Sequence, residues 1–197
     1  KNHAKKIKAN NNDEIITFYI DKTSGWQNLN RYYTNGIKWQ TDINAIGMIK
    51  VAHSYSDILE IRSIFSRLDE IIDLDFEEIN HPNGSELDIY SINYSSNFIT
   101  NVVGQVFTQE SANGAWFDIL WKDTNGKSET TSLDKNIIIH ELGHALGLSH
   151  PKDDPWNKSW TTSDTVMSYN QSTNESEIWF SDLDLSALKS IWGREND

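Results

Sequence analysis

Residues 140 to 150 read HELGHALGLSH and hold three of the six histidines in the chain. His140 and His144 are four apart, so on a helix they share a face and both imidazoles can reach one ion. Glu141 lies one step round from His140. It can reach a water on that ion without ligating it, which is the part of a general base. Six residues are not a whole number of helical turns, so on a continuous helix His150 would point away from His144. A left-handed Gly147 would end the helix and swing His150 back toward the other two. Three neutral imidazoles with one position left for water make an open, catalytic zinc site. A structural zinc would be closed by a fourth protein ligand, and the chain has no cysteine to supply one.

These side chains need a rigid frame. SLDKNIIIHELGHALGL (132–148) reads as a helix, with Ser132 as its N-cap, Asp134 in the first turn and Gly147 at its stop. A second helix is expected from Ser56, where Ile58, Ile61, Phe65, Leu68 and Ile72 recur at helical spacing. Asp57 with Glu60 three later resembles a capping box. Strands are expected over 14–20, 75–79, 86–94, 102–109 and 115–123 from β-branched and aromatic content. Gly104, inside the fourth of these, suggests a bulge or a close backbone approach. Residues 21–55 read as loop-rich, with short strand-like pieces and turns at Ser24-Gly25 and Asn35-Gly36. Residues 149–179 show no strong period, and 181–192 form a last amphipathic helix with Leu185, Leu188, Ile191 and Trp192 on one side. The order predicts an α+β domain: a five-stranded mixed sheet with two helices, then a small irregular subdomain ending in a helix. Residues 1–13 are expected to be a flexible arm. Residues 14–197 make one domain, with an upper part over 14–150 and a lower part over 151–197.

Composition narrows the partners. A hydrophobic share of 37% is enough for a packed core. The net charge of −12 argues against nucleic acid, because phosphate contact needs a basic face. No apolar run approaches the roughly 20 residues of a membrane-spanning helix. The eight tryptophans suit core and rim packing, or a groove lining.

The extended pattern H-E-x-x-H-x-x-G-x-x-H resembles the zinc motif of the metzincin endopeptidases. TVMSY (165–169) resembles the turn that carries that family's methionine, here Met167, which packs beneath the ligands without binding zinc. Pro151 after the third histidine, and Tyr169 two residues after the methionine, resemble the serralysin branch; the matrixins are close relatives. The resemblance implies a twisted metzincin-like sheet above the helix, and one catalytic zinc on His140, His144 and His150. It implies Tyr169 as a further ligand at rest that swings to stabilise the oxyanion. Asp184 would hydrogen-bond the methionine turn from the start of the last helix. The activity implied is endopeptidase cleavage of extended polypeptides, with a water activated on zinc as nucleophile and Glu141 as general base. The peptide would pair with an edge strand, for which Gly104, Gln105 and Val106 are the candidates. Residues 170–179 would wall the specificity pocket. The resemblance also implies a secreted protein, and a monomer is expected.

There are departures. No glycine-rich, Asp-containing nonapeptide repeats occur in the sequence. The structural zinc of matrixins needs extra histidines, and only His53 and His81 are placed to offer them, so no second zinc is predicted. Leu183 stands where matrixins carry the aspartate that holds a new N-terminus. DTNGKSE (123–129) is a candidate calcium loop set against a simple solvated turn. Two other readings stay open: a metzincin-like binding domain without activity, and matrixin-type specificity. A carbohydrate-binding β domain would leave the zinc motif unexplained.

Overall fold

The computed structural model describes residues 14–34, 39–98, 101–111, 114–123, 130–172 and 178–195. The arm 1–13, the turn at Asn35-Gly36, the calcium candidate beyond Asp123 and residues 173–177 of the pocket wall lie outside them. In chain order the strands are β1 (Ile15–Ile20), β2 (Gly25–Thr34), β3 (Trp39–Lys50), β4 (Asp75–Glu78), β5 (Leu87–Ser95), β6 (Gly104–Ser111) and β7 (Gly114–Lys122). The helices are α1 (Tyr55–Asp69), α2 (Ser132–Ala145) and α3 (Asp182–Trp192). Among the described residues no helix is long and apolar enough to cross a membrane.

The α+β architecture is as expected, and the five expected strands form one sheet in the order β4-β1-β5-β7-β6. β1, β4, β5 and β7 run parallel and β6 is antiparallel to β7. The loop-rich reading of 21–55 is corrected: β2 and β3 form a long antiparallel hairpin, and β3 joins β5 beyond the end of β1. Among the described residues seven strands result, not five. The hairpin escapes a periodicity search because its inward row is apolar only in part. Leu29, Ile46 and Met48 are buried, while Asn28 and Trp26 on the other face are exposed.

α1 and α2 cover one face of the sheet. Ile61, Ile64, Phe65 and Leu68 of α1 and Ile138, Ile139 and Leu142 of α2 pack against Phe18, Leu87, Ile89, Phe117 and Ile119. Phe18 and Phe65 stack at 4.0 Å between centroids. Burying each such side chain contributes roughly 1.5–3 kcal/mol. The opposite face carries a smaller core in which the hairpin's Leu29, Ile46 and Met48 meet Tyr90, Ile92, Phe107 and Leu120.

All three helices start in the same way. Ser54, Thr131 and Ser181 are the N-caps, each in a reciprocal box with an aspartate three residues on: Asp57, Asp134 and Asp184. The box read from Asp57 and Glu60 is therefore Ser54 with Asp57, and the cap of α2 is Thr131 rather than Ser132. An aspartate in the first turn fits both the cap and the third position, and the backbone places it at the third. Thr130 binds the starts of α1 and α2 together: its hydroxyl donates to Asp57 Oδ1 at 2.6 Å, and its N–H donates to Ser56 Oγ at 2.8 Å.

His53 is a buried core histidine. Trp121 Nε1–H donates to its Nε2 at 3.1 Å, so Nδ1 carries the proton and donates to the Asp21 carbonyl at 2.6 Å. Asp88 of β5 and Asp118 of β7 stand side by side on the hairpin face, both buried. Gln109 Nε2 donates to Asp118 at 2.5 Å and to the Asn30 carbonyl at 3.0 Å, tying the pair to the hairpin. Burial, then the charge of Asp118, pushes the Asp88 carboxyl up to about 8; burial raises Asp118 to about 7. The unfolded carboxyls lose their protons near pH 4. The folded pair keeps one well above that, so between those limits the native state binds more protons and stability falls as pH rises. Asp118→Asn keeps an acceptor for Gln109 and removes the charge. We expect the melting temperature of the wild type to fall between pH 5 and pH 8, and that of the variant to fall by several degrees less. Equal losses would place the pH sensitivity elsewhere.

Candidate active site

The frame of the site is the C-terminal half of α2 together with the turn that ends it. At the helix end Gly147 takes φ 104°. The N–H of Leu148 reaches back to the Gly143 carbonyl at 2.8 Å, and that of Gly147 to the His144 carbonyl at 3.0 Å. This is a Schellman termination, which a left-handed glycine permits. It has a second effect: the Leu148 carbonyl lies 3.1 Å from His144 Nδ1 and accepts its proton. The turn that ends the helix therefore also orients the second histidine.

His140 is oriented from below. Its Nδ1 donates to the Val166 carbonyl at 2.7 Å. Val166 belongs to the turn of residues 165–169, and Asp184 at the start of α3 holds that turn. Asp184 accepts from Thr165 Oγ1 at 2.5 Å and from Val166 N–H at 2.9 Å. Met167 is buried beneath the helix. A Cβ at Gly143 would lie 2.8 Å from Met167 Sδ, so the glycine between the two histidines is what lets the sulfur approach. Nothing in the sequence singles out Gly143, which reads like any other helix residue.

The structure brings His140, His144 and His150 together, with one ring nitrogen of each within 4.8 Å of the others. His144 Nε2 and His150 Nε2 are 3.2 Å apart. Two nitrogens on one tetrahedral zinc, each at 2.0–2.1 Å, lie about 3.3 Å apart. With Nδ1 of His140 and His144 committed to carbonyls, the Nε2 lone pairs face inward, as in metal-bound histidines. His140 Nε2 is buried and has no partner among the described residues. A buried polar atom left without a partner is costly. Burial, then the neighbouring His144, lowers the His140 pKa to about 3, so the ring is neutral and its lone pair available. Burial also lowers His150, with Asp153 acting in the opposite sense. This donor set fits zinc.

Glu141 is buried, and desolvation pushes its carboxyl up to about 8. Its neighbour is the backbone of β6. A Cβ on Gly104 would overlap the Glu141 carboxylate, lying 2.7 Å from Cγ and 2.8 Å from Cδ. Gly104 pairs in register with Trp121. Of the two readings of this glycine, the close approach is the one found. Gly104→Ala must push Glu141 aside. We expect the variant to fold and to lose about 10²-fold in turnover, as misplacements near 1 Å do in catalytic sites. Retained activity would show that the Glu141 carboxylate does not have to stay where it is.

Tyr169 stands 41% exposed beside the cluster, its ring centroid 5.3 Å from that of His140 and 5.2 Å from that of His150. Burial, then the charge of Glu141, raises its pKa, so the hydroxyl stays a donor at neutral pH. A cleft of about 640 Å³ runs over the cluster. Gly104, Gln105 and Val106 of β6 form one wall, and His150, Asp153 and Tyr169 are among the residues opposite. Among the described residues β6 pairs with β7, and it is the start of β6 that borders the cleft.

A profile of the protein family described as Matrixin matches residues 49–193. The match begins in β3 and takes in α1, strands β4 to β7, α2, the turn of residues 165–169 and α3. A comparison with curated proteins finds no match.

Proposed function

From the membership of this chain in the matrixin family of metallopeptidases, we propose that it is a zinc-dependent endopeptidase cutting internal bonds of extended polypeptides. One observation carries the reading: three imidazoles converge on a point where His140 Nε2 lies buried without a partner among the described residues, with a buried carboxyl one residue along. His140, His144 and His150 would hold the ion. Bound zinc supplies Lewis-acid polarisation of the scissile carbonyl and acidifies water beside it. The polypeptide lies against Gly104, Gln105 and Val106, extending the sheet by one strand. Glu141 accepts a proton from the attacking water and later delivers it to the departing amine nitrogen as the C–N bond breaks. The Tyr169 hydroxyl donates toward the carbonyl oxygen as charge builds there.

Pro151 and Tyr169 favour a serralysin-like branch within this chemistry. Tyr169 supports it most, since its ring lies close to two of the three histidines. The same reading makes the protein a secreted monomer. The test is metal dependence. We expect one zinc per chain, and cleavage of denatured casein that a chelator stops and added zinc restores. Zinc without cleavage under any condition would favour a binding domain. Failure to bind zinc would overturn the reading.

A further inference from the structure

The wall of the cleft beyond His150 has an unusual backbone. Lys152 and Asp153 are consecutive non-glycine residues in the left-handed region, at φ 54° and 59°. Side chains rarely adopt that conformation, and where they do it is held by surrounding structure and is often tied to function. Here two hydrogen bonds hold it, from Asp153 N–H to the His150 carbonyl and from Asp154 N–H to the Pro151 carbonyl, both 3.0 Å. The outcome is selective: Asp153 lines the cleft and Lys152 does not.

Among the described residues no lysine or arginine lines the cleft, and its carboxylates are Glu141 and Asp153. Glu141 is buried, whereas Asp153 is exposed and free to meet a ligand. The same segment carries Trp156, 65% exposed, its ring edge-on to Tyr169 at 5.1 Å. The backbone N–H of Trp156 donates to Asp154 Oδ1 at 3.1 Å, which holds the chain at this point. A carboxylate with an exposed indole three residues on suits a guanidinium, which pairs with the first and stacks on the second. The net charge of −12 steers cations toward such a site.

We propose that Asp153 of the cleft, with Trp156 three residues on and against the cleft's Tyr169, forms a subsite for a cationic side chain, arginine first, in a substrate residue flanking the scissile bond. This rests on the endopeptidase reading and names the substrate class for it. Arginine and citrulline have the same shape and differ in charge, so they isolate the interaction. A peptide set carries one or the other at each position around the bond cut. Binding is measured by fluorescence anisotropy on zinc-loaded Glu141→Gln protein, and cleavage on wild type. At one position the arginine peptide is expected to bind about fivefold tighter at low salt. The two should converge in 1 M salt, where exposed charges are screened. Asp153→Asn in the same background should remove the preference, and Asp153→Lys should invert it. A preference that survives both substitutions, or equal binding at every position, overturns the subsite. If wild type cuts none of the peptides while the Glu141→Gln protein still discriminates, the subsite stands and the peptidase reading falls. If wild type cuts both peptides equally and binding is equal, the reverse holds.

Discussion

Glu141→Gln is expected to bind one zinc per chain and to cleave denatured casein about 10³-fold more slowly than wild type. A positioned general acid and base contributes about 10²–10⁴-fold to such a reaction. The substitution keeps the size of the side chain, so its contact with the Gly104 backbone survives. It removes the ability to accept a proton. The imidazoles are untouched, because Glu141 is not among the residues whose ligand atoms cluster. Burial alone would leave this carboxyl largely protonated at neutral pH. A cation held by the three imidazoles is what would lower its pKa and make it a base there. The pH profile of the wild type should therefore show an acid limb that Glu141→Gln lacks. Zinc stoichiometry and initial rates decide between the readings. Loss of zinc would make Glu141 a ligand, and activity above about a tenth of wild type would put the base on another residue.

The parts of the site that lie within one stretch of chain are open to sequence reading. The helical spacing of His140 and His144, and a glycine able to turn the chain at 147, are local geometry. The backbone found at Gly147 is the one that reading needs. Asp184 and Met167 can be placed through the resemblance alone, since nothing in the spacing of residues 149–179 locates a turn beneath a helix. The hairpin of β2 and β3 escapes for a different reason. Gln27, Asn28 and Asn30 break up its alternation, and its inner row is completed only by Tyr90, Ile92, Phe107 and Leu120 from other strands. Gln109 and Asp118 have the composition of a surface, yet both are buried and hydrogen-bonded to each other. A polar residue reads as solvated until its partner is known, and that partner is set by tertiary structure. The same holds for Gly143, whose role comes from Met167, distant in the chain but packed against it in the fold.

Asp184→Ala is expected to lower stability by about 4 kcal/mol, because removing one acceptor strands several buried donors at about 1–3 kcal/mol each. The Asp184 carboxylate is buried and accepts from Thr165 Oγ1, Val166 N–H, and the N–H and hydroxyl of Ser181. For a domain of this size the loss corresponds to a melting point lower by about 10 °C. The effect should also reach the metal. Val166 is held through its N–H by Asp184, and its carbonyl receives the proton of His140 Nδ1. If the turn shifts, His140 loses the contact that fixes its tautomer and ring angle. Losing such a partner typically costs 10–100-fold in metal affinity. Instability alone would weaken zinc binding too, so a second variant is needed. Leu68→Ala opens a cavity in the core on α1, at a buried side chain that takes no part in the hydrogen bonds holding the turn, and costs about 2–5 kcal/mol. Measured well below both melting points, Asp184→Ala should bind zinc at least tenfold more weakly than wild type, while Leu68→Ala should bind it with wild-type affinity. Equal affinities in the two variants would mean that Asp184 serves the fold alone and that His140 is aligned by the helix it sits on.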